Sequence, residues 1–135
     1  MPGDRRMTWA SVLVAFLVSH LAGDFLLQTE WQALTKTRGL GDAEGRRALA
    51  AHVSTYTLVF VPALIWIADN TSAGRAIAVA ALVALPHLLV DDGHFVRSWL
   101  RQIKHVPAPA IGLSIAVDQS FHIVCLLGAA LVAAS

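Results

Sequence analysis

A chain of 135 residues fits one domain. With 56% apolar and only 14% charged residues, it carries more apolar side chain than a soluble interior of that size can hide, so a membrane is the expected apolar solvent. A net charge of +1 gives no basic surface for nucleic acid, and a lone cysteine, Cys125, excludes an internal disulfide.

The first apolar stretch runs from about Thr8 to Trp31. Asp4-Arg5-Arg6 ahead of Val12–Val18 has the outline of a signal peptide. No small-x-small cleavage site follows, and polar residues continue at helical spacing through His20, Asp24 and Gln28, so an uncleaved first span is expected. A second stretch covers about Arg47–Ala68, a third about Ala73–Leu100, and a fourth about Ala110–Ala134. Each exceeds the roughly 20 helical residues that cross a bilayer core. Backbone groups in lipid must bond within their own segment, and no period-two alternation suggests strands, which leaves helices. The expectation is an all-α, polytopic four-helix bundle, with residues 1–135 forming a single transmembrane domain.

The breaks read as loops. Gln32–Arg46 carries glycines and charges. Asp69-Asn70-Thr71-Ser72 is a tight turn with capping residues for the third helix. Pro109 is placed to open the fourth helix. Trp9, Trp31, Trp66 and Trp99 fall near the expected span ends, as an aromatic belt would place them. Arg5, Arg6 and Arg75 would lie on one side of the membrane. Lys36, Arg38, Arg46, Arg47, Arg97, Arg101 and Lys104 would lie on the other. The positive-inside rule then puts loops one and three in the cytoplasm.

Ionisable side chains inside a span are costly and tend to face the bundle interior for a purpose. Here they are His20 and Asp24, His52, His87 and Asp91 with Asp92 and His94, then Asp118 and His122. His20 and Asp24, His87 and Asp91, and Asp118 and His122 each stand four apart, on one helix face. Gln28 extends the first stripe, and Gly23 leaves room for a neighbouring helix. Each group falls in the half of its helix nearest loop one or loop three, so all should meet at one depth, in the cytoplasmic half. Pro86 should kink the third helix beside His87. Asp92 points about 100° away from Asp91, and His105 lies in a loop. Ser54, Thr55 and Thr57 are placed to bond back to their own helix.

Imidazoles and carboxylates at one depth suggest a divalent metal site, with zinc expected first and manganese or iron as other occupants. The candidate ligands are His20, Asp24, His52, His87, Asp91, Asp118 and His122, for one metal or two; His52 and Asp91 are also the candidate catalytic residues. A metal-dependent membrane hydrolase would use water activated by the metal on a lipid-linked or phosphorylated substrate. Arg46, Arg47, Arg97, Arg101 and Lys104 would be placed near its head group. No nucleophilic serine or cysteine motif competes. The alternatives are a His/Asp relay for protons or divalent metal, which would need a homodimer, and a purely structural polar network. Haem is disfavoured by the aspartates paired with three of the histidines.

His20-Leu-Ala-Gly-Asp24-Phe-Leu-Leu-Gln28, then His52, then His87-Leu-Leu-Val-Asp91, then Asp118-Gln119-Ser-Phe-His122 resemble a family of bacterial membrane proteins catalogued as domain of unknown function 3307. The resemblance spans nearly the whole chain. It implies a bacterial inner-membrane location and this set of candidate residues, but no reaction. The His-x-x-x-Asp patterns are more distantly similar to inner-membrane metal-dependent hydrolases.

Overall fold

The computed structural model describes residues 7–135, all helix, turn and loop, with no strand among them. Arg5 and Arg6, which entered the orientation reading, lie outside the described residues. Helix α1 spans Trp9–Leu21 behind a Thr8–Ser11 capping box and runs on into a wide π turn, Ala22–Leu26. A short helix α2 (Glu30–Thr35), capped by Thr29, leads into a 3-10 turn at Lys36–Arg38. Then follow α3 (Ala43–Val59), α4 (Val61–Asn70), α5 (Ala73–Asp91), α6 (His94–Gln102) and α7 (Ile111–Ala133).

Among the described residues, three segments are long and apolar enough to cross a membrane: Trp9–Leu26, Ala73–Asp91 and Ile111–Ala133. The bent pair α3 and α4 makes a fourth if it is one span. The chain is an all-α membrane protein. Its outer faces carry exposed Val14, Val18, Leu58, Ile65, Ile77, Leu89 and Val124, side chains that water would not favour and lipid would.

The element boundaries depart from the sequence expectation in three places, each with a local cause. The second stretch is not one straight helix: α3 and α4 meet at Phe60 with a bend of 47°. Pro62 sits in the first turn of α4, where its missing N–H is tolerated, but its ring would clash with the carbonyl four residues back in a continuous helix. The third stretch ends at Asp91 rather than Leu100, because Gly93 adopts the left-handed conformation (φ 79°) and turns the chain into the separate helix α6. The first loop is largely helical, Thr29 and Gln32 forming a capping box for α2. Trp31 and Trp99 therefore sit on α2 and α6. Elsewhere expectation and structure agree closely. Ser72 caps α5 through the Arg75 N–H, and Thr55 and Thr57 donate to the Ala51 and Val53 carbonyls. The prolines differ from expectation: α5 continues as one helix through Pro86, and Pro109 lies ahead of the α7 cap at Ala110 rather than in the first turn.

Helix α5 is central, packed against α7, α4 and α3, while α1 packs chiefly on α7. Phe16, Phe60, Ile67, Val79, Val83 and Ala130 belong to a dry core where the start of α1, all of α4, the start of α5 and the end of α7 meet. A smaller cluster joins Val96 and Leu100 of α6 to Val90 and to Leu113, Val117 and Phe121. The larger apolar core fills one half of the bundle, and the buried polar side chains gather in the opposite half beside the smaller cluster.

Loop one is tied to the α5–α6 turn through Asp92, whose Oδ1 accepts the Leu40 N–H at 2.6 Å while Oδ2 meets His94 Nδ1 at 2.6 Å. Gly39 makes this junction possible. Its backbone (φ 82°, ψ −179°) is a region only glycine occupies readily, and a Cβ there would lie 2.6 Å from Asp92 Oδ1. Gly39→Ala should therefore cost about 1–3 kcal/mol, read as a lower melting temperature in detergent. Gly41→Ala, where a Cβ meets nothing within 4 Å, should melt like the parent.

Candidate metal centre

Asp24 reaches the bundle interior from the π turn that ends the first span. His52 comes from α3, His87 and Asp91 from the last turns of α5, and Asp118 and His122 from α7. His20, Asp24, His52, His87, Asp91 and His122 are all buried, and Asp118 is half-buried. The depth inferred from the sequence holds: these side chains meet in the half of the bundle opposite the dry core.

Four of them converge on one point. His52 Nε2 lies 2.9 Å from Asp91 Oδ2 and 3.3 Å from Asp24 Oδ1. His87 Nε2 lies 3.1 Å from Asp91 Oδ2 and 3.6 Å from Asp24 Oδ1, and the two imidazole Nε2 atoms are 3.0 Å apart. A tetrahedral metal with bonds of about 2.0–2.1 Å separates its donors by about 3.3 Å. The five measured edges bracket that value. Asp24 Oδ1 has no hydrogen-bond partner although it is fully buried, an arrangement that costs free energy unless a cation satisfies it.

A second group shares Asp91. His122 Nε2 is 3.2 Å from Asp91 Oδ1 and 3.4 Å from Asp118 Oδ2. The Nδ1 atoms of His87 and His122 are 3.2 Å apart.

His20 stands outside both groups. Its ring nitrogens are engaged by Tyr56 Oη at 3.0 Å and Gln119 Oε1 at 2.9 Å. The amide oxygen of Gln119 can only accept, so His20 Nε2 carries the proton, and the Tyr56 hydroxyl donates to Nδ1. The Gln119 amide nitrogen then donates to Asp118 Oδ2 at 3.1 Å and Asp24 Oδ2 at 3.4 Å. One directed chain from Tyr56 through His20 and Gln119 thus holds two carboxylates. The π turn contributes to this divergence: it widens the helix between His20 and Asp24, whose nearest approach is 3.6 Å.

The sequence did not single out three participants. Lys36, assigned to a loop, is buried, and its Nζ donates to Asp91 Oδ2 and Gln28 Oε1, each at 2.7 Å. Nothing in the sequence separates Lys36 from its charged neighbours; only the fold of the 3-10 turn carries it inward. Tyr56 stacks on His87 with ring centroids 3.5 Å apart and planes 10° apart. Its place one turn after His52 was a usable signal. Gly23 makes room for that ring, since a Cβ there would lie 2.7 Å from Tyr56 Cδ2. Gln119 appeared only inside a motif. Asp92 and His94 serve the loop junction, His94 being exposed, and His105 is exposed as expected.

With the carboxylates ionised and the imidazoles neutral, Lys36 against Asp24, Asp91 and Asp118 leaves two negative charges in a low-dielectric interior. A divalent cation would balance them, and a donor set of nitrogens and oxygens is one that can hold such an ion. Asp24, Asp91, Asp118, Lys36, Gln28 and Gln119 also face a cleft of about 550 Å³. Its apolar wall is formed by Phe25, Leu34, Ile111 and Ile115, which are exposed, and Arg97 is a further cation on its lining. Arg46 instead donates to the Leu40 carbonyl and Arg47 pairs with Glu44.

The family model described as "Protein of unknown function (DUF3307)" matches residues 12–135, so the chain belongs to that family. Neither the curated proteins nor the solved structures provide a match to it.

Removing one partner of a buried ion pair strands the other charge. Lys36→Met should destabilise the protein by about 3–5 kcal/mol. Adding Asp91→Asn should recover part of that loss, and a double-mutant cycle of thermal stability in detergent would measure the coupling.

Proposed function

We propose that this member of the family is a divalent-metal-dependent membrane hydrolase, with Asp24, His52, His87 and Asp91 holding the cation inside the bundle. The observation that carries the reading is the four-donor box, with edges of 2.9–3.6 Å and one orphaned carboxylate oxygen. The four residues come from three separate elements, so no local hydrogen-bonding preference accounts for their meeting. Zinc is the first choice for the donor set.

The metal would supply Lewis acidity and activate water at neutral pH. The chain's own residues do the rest. Gln119, oriented by His20 and Tyr56, fixes the Asp24 and Asp118 carboxylates, which makes His20 a positioning residue. Lys36 neutralises part of the Asp91 charge and presents an ammonium to the cleft. Lys36 and Arg97 suit an anionic head group, and Phe25, Leu34, Ile111 and Ile115 suit an apolar tail. A lipid-linked, phosphorylated substrate fits both. Hydrolysis would add the hydroxyl of water to the attacked centre and its proton to the leaving group. The site would lie in the cytoplasmic half of a bacterial inner membrane, as the lysine and arginine distribution suggests.

A proton relay is the competing reading, favoured by the ring contacts linking His52, His87 and His122. The dry core around Phe16, Phe60, Ile67 and Val79 opposes it, because no polar path among the described residues continues through that half.

Metal analysis of detergent-purified protein decides the matter. Stoichiometric transition metal is expected, with Asp24→Asn and His52→Ala each losing it while remaining helical. A metal-free wild-type protein that resists loading with zinc would refute the proposal.

A further inference from the structure

The box formed by Asp24, His52, His87 and Asp91 uses only one oxygen of Asp91. The other faces His122. Building on the proposed metal reading, we propose that Asp91 bridges two divalent cations, the second held by Asp91 Oδ1, Asp118 and His122 and open to the cleft.

The two sets differ in the number of their donors and in burial. The first has four buried protein donors, two of which, Asp24 and Asp91, also line the cleft. The second has three donors, with Asp118 half-buried on the cleft wall. Three protein ligands with one open position is the composition that admits water or substrate. Its measured edges, 3.2 Å and 3.4 Å from His122 Nε2, again match the donor spacing around a tetrahedral ion.

Two further features join the sets. Gln119 donates to Asp24 in one and Asp118 in the other, so a single amide fixes their relative position. The Asp91 carboxylate presents its two oxygens to opposite groups, as a bridging ligand must. Two-metal hydrolytic centres hold their ions about 3.5–4 Å apart. Charge then specifies the substrate class. Two divalent ions over-balance the three carboxylates and Lys36 by two positive charges, which an anionic ligand at the open position would offset. A phosphoryl group does so, with Arg97 on the same cleft wall.

The test is metal content and manganese magnetic resonance on the full chain in detergent. After equilibration with zinc, two ions per chain are expected. Asp118→Asn and, independently, His122→Ala should reduce this to one, with melting behaviour showing that the protein remains folded. Loaded with manganese, the parent should give an exchange-coupled spectrum, and Asp118→Asn an uncoupled one. A single ion per chain in the parent, or two ions retained by both variants, would overturn the bridged pair and leave the one-metal proposal standing. A parent that binds none would instead remove the proposal on which the pair rests.

Discussion

A carboxylate inside an apolar bundle needs compensation from its own surroundings, because neither lipid nor a dry core supplies it. Asp91 receives it from His52 on α3, His87 on its own helix, His122 on α7 and Lys36 from the turn after α2. Helices α3, α5 and α7 and the turn after α2 thereby each contribute a side chain to one residue. The helices can slide or rotate relative to one another only by breaking these contacts, so the position of Asp91 fixes the geometry of the whole polar half.

The dry half and the polar half do different jobs. Packing of Phe16, Phe60, Ile67, Val79 and Ala130 holds the ends of the helices together through close contact of apolar side chains. That rigidity lets the other half hold charged groups at short range. The bend at Phe60 belongs to the same arrangement, since it lets α4 lie against α5 while α3 delivers His52 and Tyr56 to the site. Segment Glu30–Arg38 covers the polar half from one side, pinned by Asp92 and by the Arg97 bond to the Thr37 carbonyl. It turns what would be an open end of the bundle into a lined cleft.

Much of this was written in the sequence as spacing. A helix repeats its face every three to four residues, so His87 with Asp91, and Asp118 with His122, had to project together. The membrane limits a span to about 20 residues, so polar residues near the same loops had to share a depth. Those two constraints act within single helices, and the spacing of the polar residues along the chain expressed them.

What the sequence could not determine was anything that depends on how one element meets another. His20 and Asp24 stand four apart, yet His20 bonds Tyr56 and Gln119 while Asp24 Oδ1 faces His52 and His87, the Gln119 amide linking the two. Lys36 looked like any loop cation, and only the path of the chain after α2 brings its ammonium to Asp91. Gly93 and Pro62 were visible as residues, but whether each ends a helix, bends it or is absorbed depends on the packing around it. The sequence by itself determined which polar groups lie on the apolar helices and toward which end of each, because helical periodicity and span length are local constraints. The tertiary structure alone decided which of those groups touch, because donor-to-donor distances near 3 Å follow from helix rotation and crossing, and these are set by contacts between residues far apart in the chain.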